Sequence, residues 1–96
     1  MALVSPFFFY RNDYQCLMYH DERSDTWIGC IGFKPGHFFY QKSFARIGNT
    51  PMYHYHFEEM SKSRHKNRRL WYLGFTLPTY SEIKVLDLLK KTVDKL

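Results

Sequence analysis

Long apolar runs are missing from this 96-residue chain. Nothing approaches the ~20 consecutive apolar residues that a membrane-spanning helix requires. The first residues, "MALVSPFFFYR", have neither a basic leader nor a long apolar run before a cleavage site, so no secretory processing is expected. Cysteine is scarce as well, with two residues and no CxxC pair. That excludes a disulfide-stapled scaffold and a cysteine-rich zinc module, and it leads us to expect free thiols in the cytoplasm. The sequence also has no nucleophile elbow, P-loop, dinucleotide fingerprint or HExxH motif, which removes the enzyme classes that those motifs mark.

Aromatic residues, in contrast, are abundant: nine Phe, eight Tyr and two Trp. Such side chains favour strands and crowded cores. Apolar and aromatic runs alternate with turn-like segments in "VSPFFFY", "YQCLMYH", "TWIGCIGF", "HFFYQKSF", "YHYHF" and "RLWYLGFT", while "DERSD", "KPG" and "IGNTP" supply turn chemistry between them. Six strands in one domain, residues 1–96, are expected. The second and third runs read as an antiparallel hairpin that turns near Arg23, with Tyr19 facing Trp27, Met18 facing Ile28 and Cys16 facing Cys30. Gly29 and Gly32, inside the third run, read as bulge or close-packing positions.

The last residues change character. In "LPTYSEIKVLDLLKKTVDKL", Thr79 and Glu82 fit a capping box, and Pro78 with Ile83 fits a hydrophobic staple. Ile83, Leu86, Leu89, Val93 and Leu96, widened by Val85 and Leu88, form an apolar stripe opposite Lys84, Asp87, Lys91, Asp94 and Lys95. The expected fold is α+β: an antiparallel meander of five to six strands, curved or rolled into a half-barrel, packed against one C-terminal amphipathic helix.

The charge is uneven. The chain carries 14 Lys and Arg against 9 Asp and Glu, and five of the cations, Lys62, Arg64, Lys66, Arg68 and Arg69, fall within "KSRHKNRR" without an acid among them. The remaining bases and acids balance, so the formal net charge of +5 belongs to this stretch. If it is extended, Lys62, Arg64, Lys66 and Arg68 project from one side at intervals of roughly 7 Å; if it is a hairpin tip they fan into one positive knob. A short helix from Phe57 is a third geometry, disfavoured by Ser61, Ser63 and Asn67. The bland reading is a solvated loop that keeps an aromatic-rich protein soluble.

The functional reading is contact with single-stranded nucleic acid or RNA, made by Lys62, Arg64, His65, Lys66, Arg68 and Arg69, with His54, His56 and Tyr72 as flanking contacts. Trp71, alternating with Leu73 and Phe75, reads as a core anchor, which leaves Tyr72 as the stacking candidate. Duplex readout is not favoured, because no groove-fitting helix carries the cations. The alternative is an inhibitor- or immunity-like module docking on an acidic protein surface, where Tyr, Trp and Arg are common hot spots. Homodimerisation through an edge strand containing Phe7, Phe8 and Phe9 is also open. A binding role is expected over an enzymatic one. His54-x-His56 supplies two metal ligands where a catalytic zinc needs three and water, so neither metal nor cofactor is expected. The remaining catalytic reading is metal-independent RNA cleavage, with His54 or His56 as base, His65 or Tyr72 as acid, and Arg64, Arg68 or Arg69 stabilising the phosphorane.

Overall fold

The computed structural model describes residues 7–55, 70–78 and 82–96. Six strands and one helix follow in chain order: β1 (Phe7–Arg11), β2 (Tyr14–Asp21), β3 (Thr26–Phe33), β4 (Phe44–Ile47), β5 (Thr50–His54), β6 (Trp71–Pro78) and α1 (Glu82–Val93). All pair antiparallel in one sheet of order β1-β2-β3-β6-β5-β4. The expected α+β arrangement is present, with the meander built as two successive three-stranded units that join where β6 pairs with β3. The sheet does not close. α1 packs across β2, β3 and β6, and the residues that follow it reach both edges: Asp94 binds Arg11 and Asn12 beside β1, and Lys95 lies over Gly48 beside β4.

Local chemistry sets the turns. Arg11 and Tyr14 close a two-residue turn whose centre, Asn12 and Asp13, takes φ of 52° and 67°. Asn and Asp tolerate the left-handed region best among residues with a Cβ, and this pair of positive φ values marks the turn type that matches strand twist. Gly48 does the same for β4 and β5, with φ of 61° at the first position between Ile47 and Thr50. Asp21 closes the β2–β3 turn by accepting from the Arg23 N–H and the Ser24 hydroxyl, each at 3.0 Å.

Two expectations about strands are corrected. The β2–β3 register is shifted by one residue, so Cys16 faces Ile31 and Leu17 faces Cys30. Since successive side chains alternate between faces, the two cysteines lie on opposite sides of the sheet and a bridge between them is excluded. Both are buried free thiols. The second correction concerns "HFFYQKSF", which is not a strand until Phe44. After Pro35 and Gly36, the backbone N–H groups of His37, Tyr40 and Lys42 bond to Lys34, His37 and Phe39 carbonyls at 3.0, 3.0 and 3.2 Å. These donors are consumed locally and are lost to any ladder.

The larger core lies between sheet and helix and contains Cys16, Met18, Trp27, Ile31, Phe33, Met52, Leu73 and Phe75 against Val85, Leu89 and Val93. Gly29 sits beneath α1, where a Cβ would come within 2.9 Å of Val85 Cγ1 and 3.1 Å of Leu89 Cδ1; the glycine is a close-packing position, as its place in an apolar run implies. The helical stripe is narrower than expected. Val85, Leu89, Thr92 and Val93 are buried, whereas Ile83 is 58% exposed and Leu96 38% exposed. The charged face, Lys84, Asp87, Lys91, Asp94 and Lys95, does point outward. Thr79 of the expected capping box lies outside the described residues.

The other face of the sheet carries its own buried cluster: Leu17, Ile28, Cys30 and Tyr72, with Phe8, Tyr19, Tyr55 and Leu70 packed against it. Farther out on the same face, Phe44 and Tyr53 form an exposed cross-strand pair with ring centroids 5.2 Å apart.

Candidate functional site

The strand register collects several polar and aromatic side chains at one end of the sheet. Phe33 at the end of β3 faces Trp71 at the start of β6, and Gly32 faces Tyr72. β5 ends at the same rim, with His54 facing Leu73 and the Tyr55 N–H donating to the Tyr72 carbonyl at 3.2 Å. The chain therefore leaves the sheet after His54 and re-enters it at Trp71 on the neighbouring strand. Both ends of the intervening segment are anchored side by side.

His54 and Trp71 meet there as a parallel stack, with centroids 3.7 Å apart and planes 10° from parallel. Two backbone contacts hold the pair in place. The Trp71 indole N–H donates to the Lys42 carbonyl at 2.7 Å, and the His54 N–H donates to the Ser43 carbonyl at 3.2 Å. Tyr40 approaches the indole edge-on at 6.3 Å. The turn-rich segment 34–43 thus buttresses the stack, and Lys42 extends over the Phe38 ring at 5.5 Å. Phe38 is itself 77% exposed.

A few residues along the same rim, Tyr14 and His37 form a second constellation. The Tyr14 hydroxyl lies 2.9 Å from His37 Nε2, and the Phe39 N–H donates to His37 Nδ1 at 3.1 Å. Phe33 packs on the imidazole at 4.7 Å, with Tyr14 and Phe39 edge-on to Phe33 at 5.9 and 5.5 Å. Tyr14 and His37 line a cavity together with Asn12, Asp13, Gly32 and Lys34.

Of the residues singled out from sequence, His54 is at the rim, half-buried against Trp71. Tyr72 is not a surface contact. It is only 5% exposed, on the opposite face, and its hydroxyl donates to the buried Gln15 carboxamide oxygen. The even and odd positions of β6 both meet a core here, because each face of the sheet has one; alternation alone did not distinguish them. His56, Lys62, Arg64, His65, Lys66, Arg68 and Arg69 lie outside the described residues. Trp71, assigned to the core, is half-buried at its margin and forms the stack. Tyr14, Lys34 and His37 carried no motif, since the first and last are 23 residues apart and come together only through the turn at Pro35 and Gly36.

Burial governs the thiols. It raises Cys16 to about 12 and Cys30 well above the ordinary thiol value, so neither is a nucleophile in the folded protein. Among the described residues, no three His, Cys, Asp or Glu side chains are grouped to hold a metal ion. Comparison with protein-family models, curated proteins and solved structures returns no match.

Proposed function

We propose that this protein binds single-stranded nucleic acid, RNA in particular, through the stretch from Lys62 to Arg69 and the rim where that stretch rejoins the sheet. The observation that carries the reading is the His54–Trp71 stack at 3.7 Å, placed at the point where the cation-rich segment leaves and re-enters β5 and β6. Cations neutralise phosphates and release counterions, which makes affinity salt-dependent. Planar side chains add base stacking, on the order of 1–3 kcal/mol per base. Trp71 takes the stacking role that the sequence had suggested for Tyr72, because its ring is at the rim while Tyr72 is interior. Lys42, exposed on the segment that holds the stack, adds a cation to the same surface. The buried, unpaired cysteines are compatible with a cytoplasmic setting.

The test is fluorescence anisotropy with short labelled RNA and DNA single strands at two salt concentrations, beside a variant carrying Arg64→Ala, Lys66→Ala, Arg68→Ala and Arg69→Ala. Salt-sensitive binding is expected for the wild type. The variant should lose most of the affinity and flatten the log–log salt slope by up to about 3, at ~0.7 per lost phosphate contact on a single strand. Tryptophan emission should fall on binding, because Trp71 is the more exposed of two tryptophans while Trp27 is buried. Absence of binding at low salt overturns the reading.

A second reading is favoured by the exposed aromatics Tyr10, Phe38, Phe44 and Tyr53, which suit an inhibitor-like module docking on an acidic protein. A pull-down that recovers one stoichiometric protein after nuclease treatment is its expected outcome; recovery of heterogeneous, nucleic-acid-dependent proteins argues against it.

A further inference from the structure

The rim cavity has a volume of about 210 Å³ and is walled by Asn12, Asp13, Tyr14, Gly32, Lys34 and His37. It is smaller than the ~300 Å³ at which pockets for drug-sized ligands begin. It is half open to solvent, and its enclosed part suits one small ring with the rest of a nucleotide left outside.

The polar groups in the wall can be sorted by what they are able to donate. His37 Nδ1 accepts from the Phe39 N–H, so in the neutral imidazole the proton resides on Nε2 and is donated to the Tyr14 oxygen. The Tyr14 hydroxyl proton is thereby left for an acceptor in the cavity. Lys34 offers an ammonium, and Asp13 offers a carboxylate on a turn fixed at φ of 67°. Among the described residues, neither Lys34 nor Asp13 takes part in an ion pair. One amide N–H of Asn12 is committed to Asp94 at 3.1 Å. Beside that carboxamide, the hydroxyl and charged groups of the wall present two donors and one acceptor. Packing of Tyr14, Phe33, His37 and Phe39 on one another holds it in shape before any ligand arrives.

The geometry points to a pocket for one uracil-type pyrimidine, a reading that rests on the nucleic-acid function proposed above. Uracil presents carbonyl, imide N–H and carbonyl along one edge: acceptor, donor, acceptor. Tyr14 and Lys34 supply donors to the carbonyls, and Asp13 accepts from the imide. Cytosine sets an unprotonated ring nitrogen where the imide stands, and a purine requires room for a second ring.

The experiment compares oligouridylate, oligocytidylate and oligoadenylate of equal length by anisotropy, using wild type, Asp13→Asn, Lys34→Gln and the four-site Ala variant. Asn occupies a positive φ at least as readily as Asp, so Asp13→Asn preserves the turn. Wild type is expected to prefer oligouridylate by about tenfold. In Asp13→Asn and Lys34→Gln this ratio should collapse towards one, whereas the four-site variant should lose affinity for all three oligomers alike. Salt-sensitive binding without base preference, or a preference that both pocket variants retain, overturns the pocket and leaves the nucleic-acid reading standing. No binding to any oligomer overturns both.

Discussion

Gly74 shows how closely β6 lies against β3. A Cβ at this position would run into Cys30 Sγ and the Gly29 carbonyl oxygen, one a packed side chain and the other backbone. Backbone cannot rotate away, so Gly74→Ala should cost about 1–3 kcal/mol as an overpacking change. Urea denaturation of the single variant measures it, and a midpoint equal to wild type would mean that β3 and β6 separate more readily than their register implies. Gly74 also bears on how much was readable in advance. Its place between Leu73 and Phe75 marks a strand glycine, but only the β3–β6 pairing reveals which atoms press on it. The same holds for Tyr72, whose aromatic character was plain and whose burial against Gln15 depended on a second core that no periodicity announces.

At the scale of elements, α1 is fastened to the β1–β2 turn by one carboxylate. Arg11 Nε and Nη2 donate to the two Asp94 oxygens at 2.9 Å each, and Asn12 adds a bond at 3.1 Å. The hydrogen bond from Arg11 holds the Asp94 carboxyl below its ordinary value. A depressed carboxyl contributes stability above the pKa of the unfolded chain, near 3.9, and loses it as pH falls through the lower folded value. Asp94→Asn should therefore be less stable than wild type at neutral pH, with the difference vanishing in strong acid. Thermal unfolding of both proteins across that range tests the link, and a gap that persists in acid would assign the loss to packing. The helix was legible from its amphipathic spacing, as was its outward charged face. Its buried stripe was read too wide: Val85, Leu89 and Val93 at four-residue spacing point at the sheet, and Ile83 lies off that line. In β4 and the residues before it the error ran the other way. An aromatic run of strand-forming residues became turns, because Pro35 and Gly36 redirected the chain and local hydrogen bonds followed.

For the whole molecule, the two cysteines are internal reporters on opposite faces. Cys16 belongs to the core under α1, and Cys30 belongs to the cluster on the other side. Burial suppresses both thiolates, so alkylation has to await opening. If the two cores open together as one cooperative unit, both thiols should label at the same rate and with the same denaturant dependence. Mass spectrometry of peptides after timed alkylation distinguishes this from faster labelling of one face. Faster labelling at Cys30 alone would mean that the second cluster opens independently of the helix-covered core.

The residue types themselves determined the strand-rich α+β composition, the C-terminal amphipathic helix and the concentration of positive charge between Lys62 and Arg69. These properties are local or additive, set by side-chain pattern and count. Tertiary structure alone decided the one-residue register that sends Cys16 and Cys30 to opposite faces, the burial of Tyr72, and the meeting of His54 with Trp71 and of Tyr14 with His37. Each of these depends on which strands become neighbours and by what offset. That offset follows from the fit of two cores at once, since a slip of a single residue exchanges the faces of every side chain in a strand.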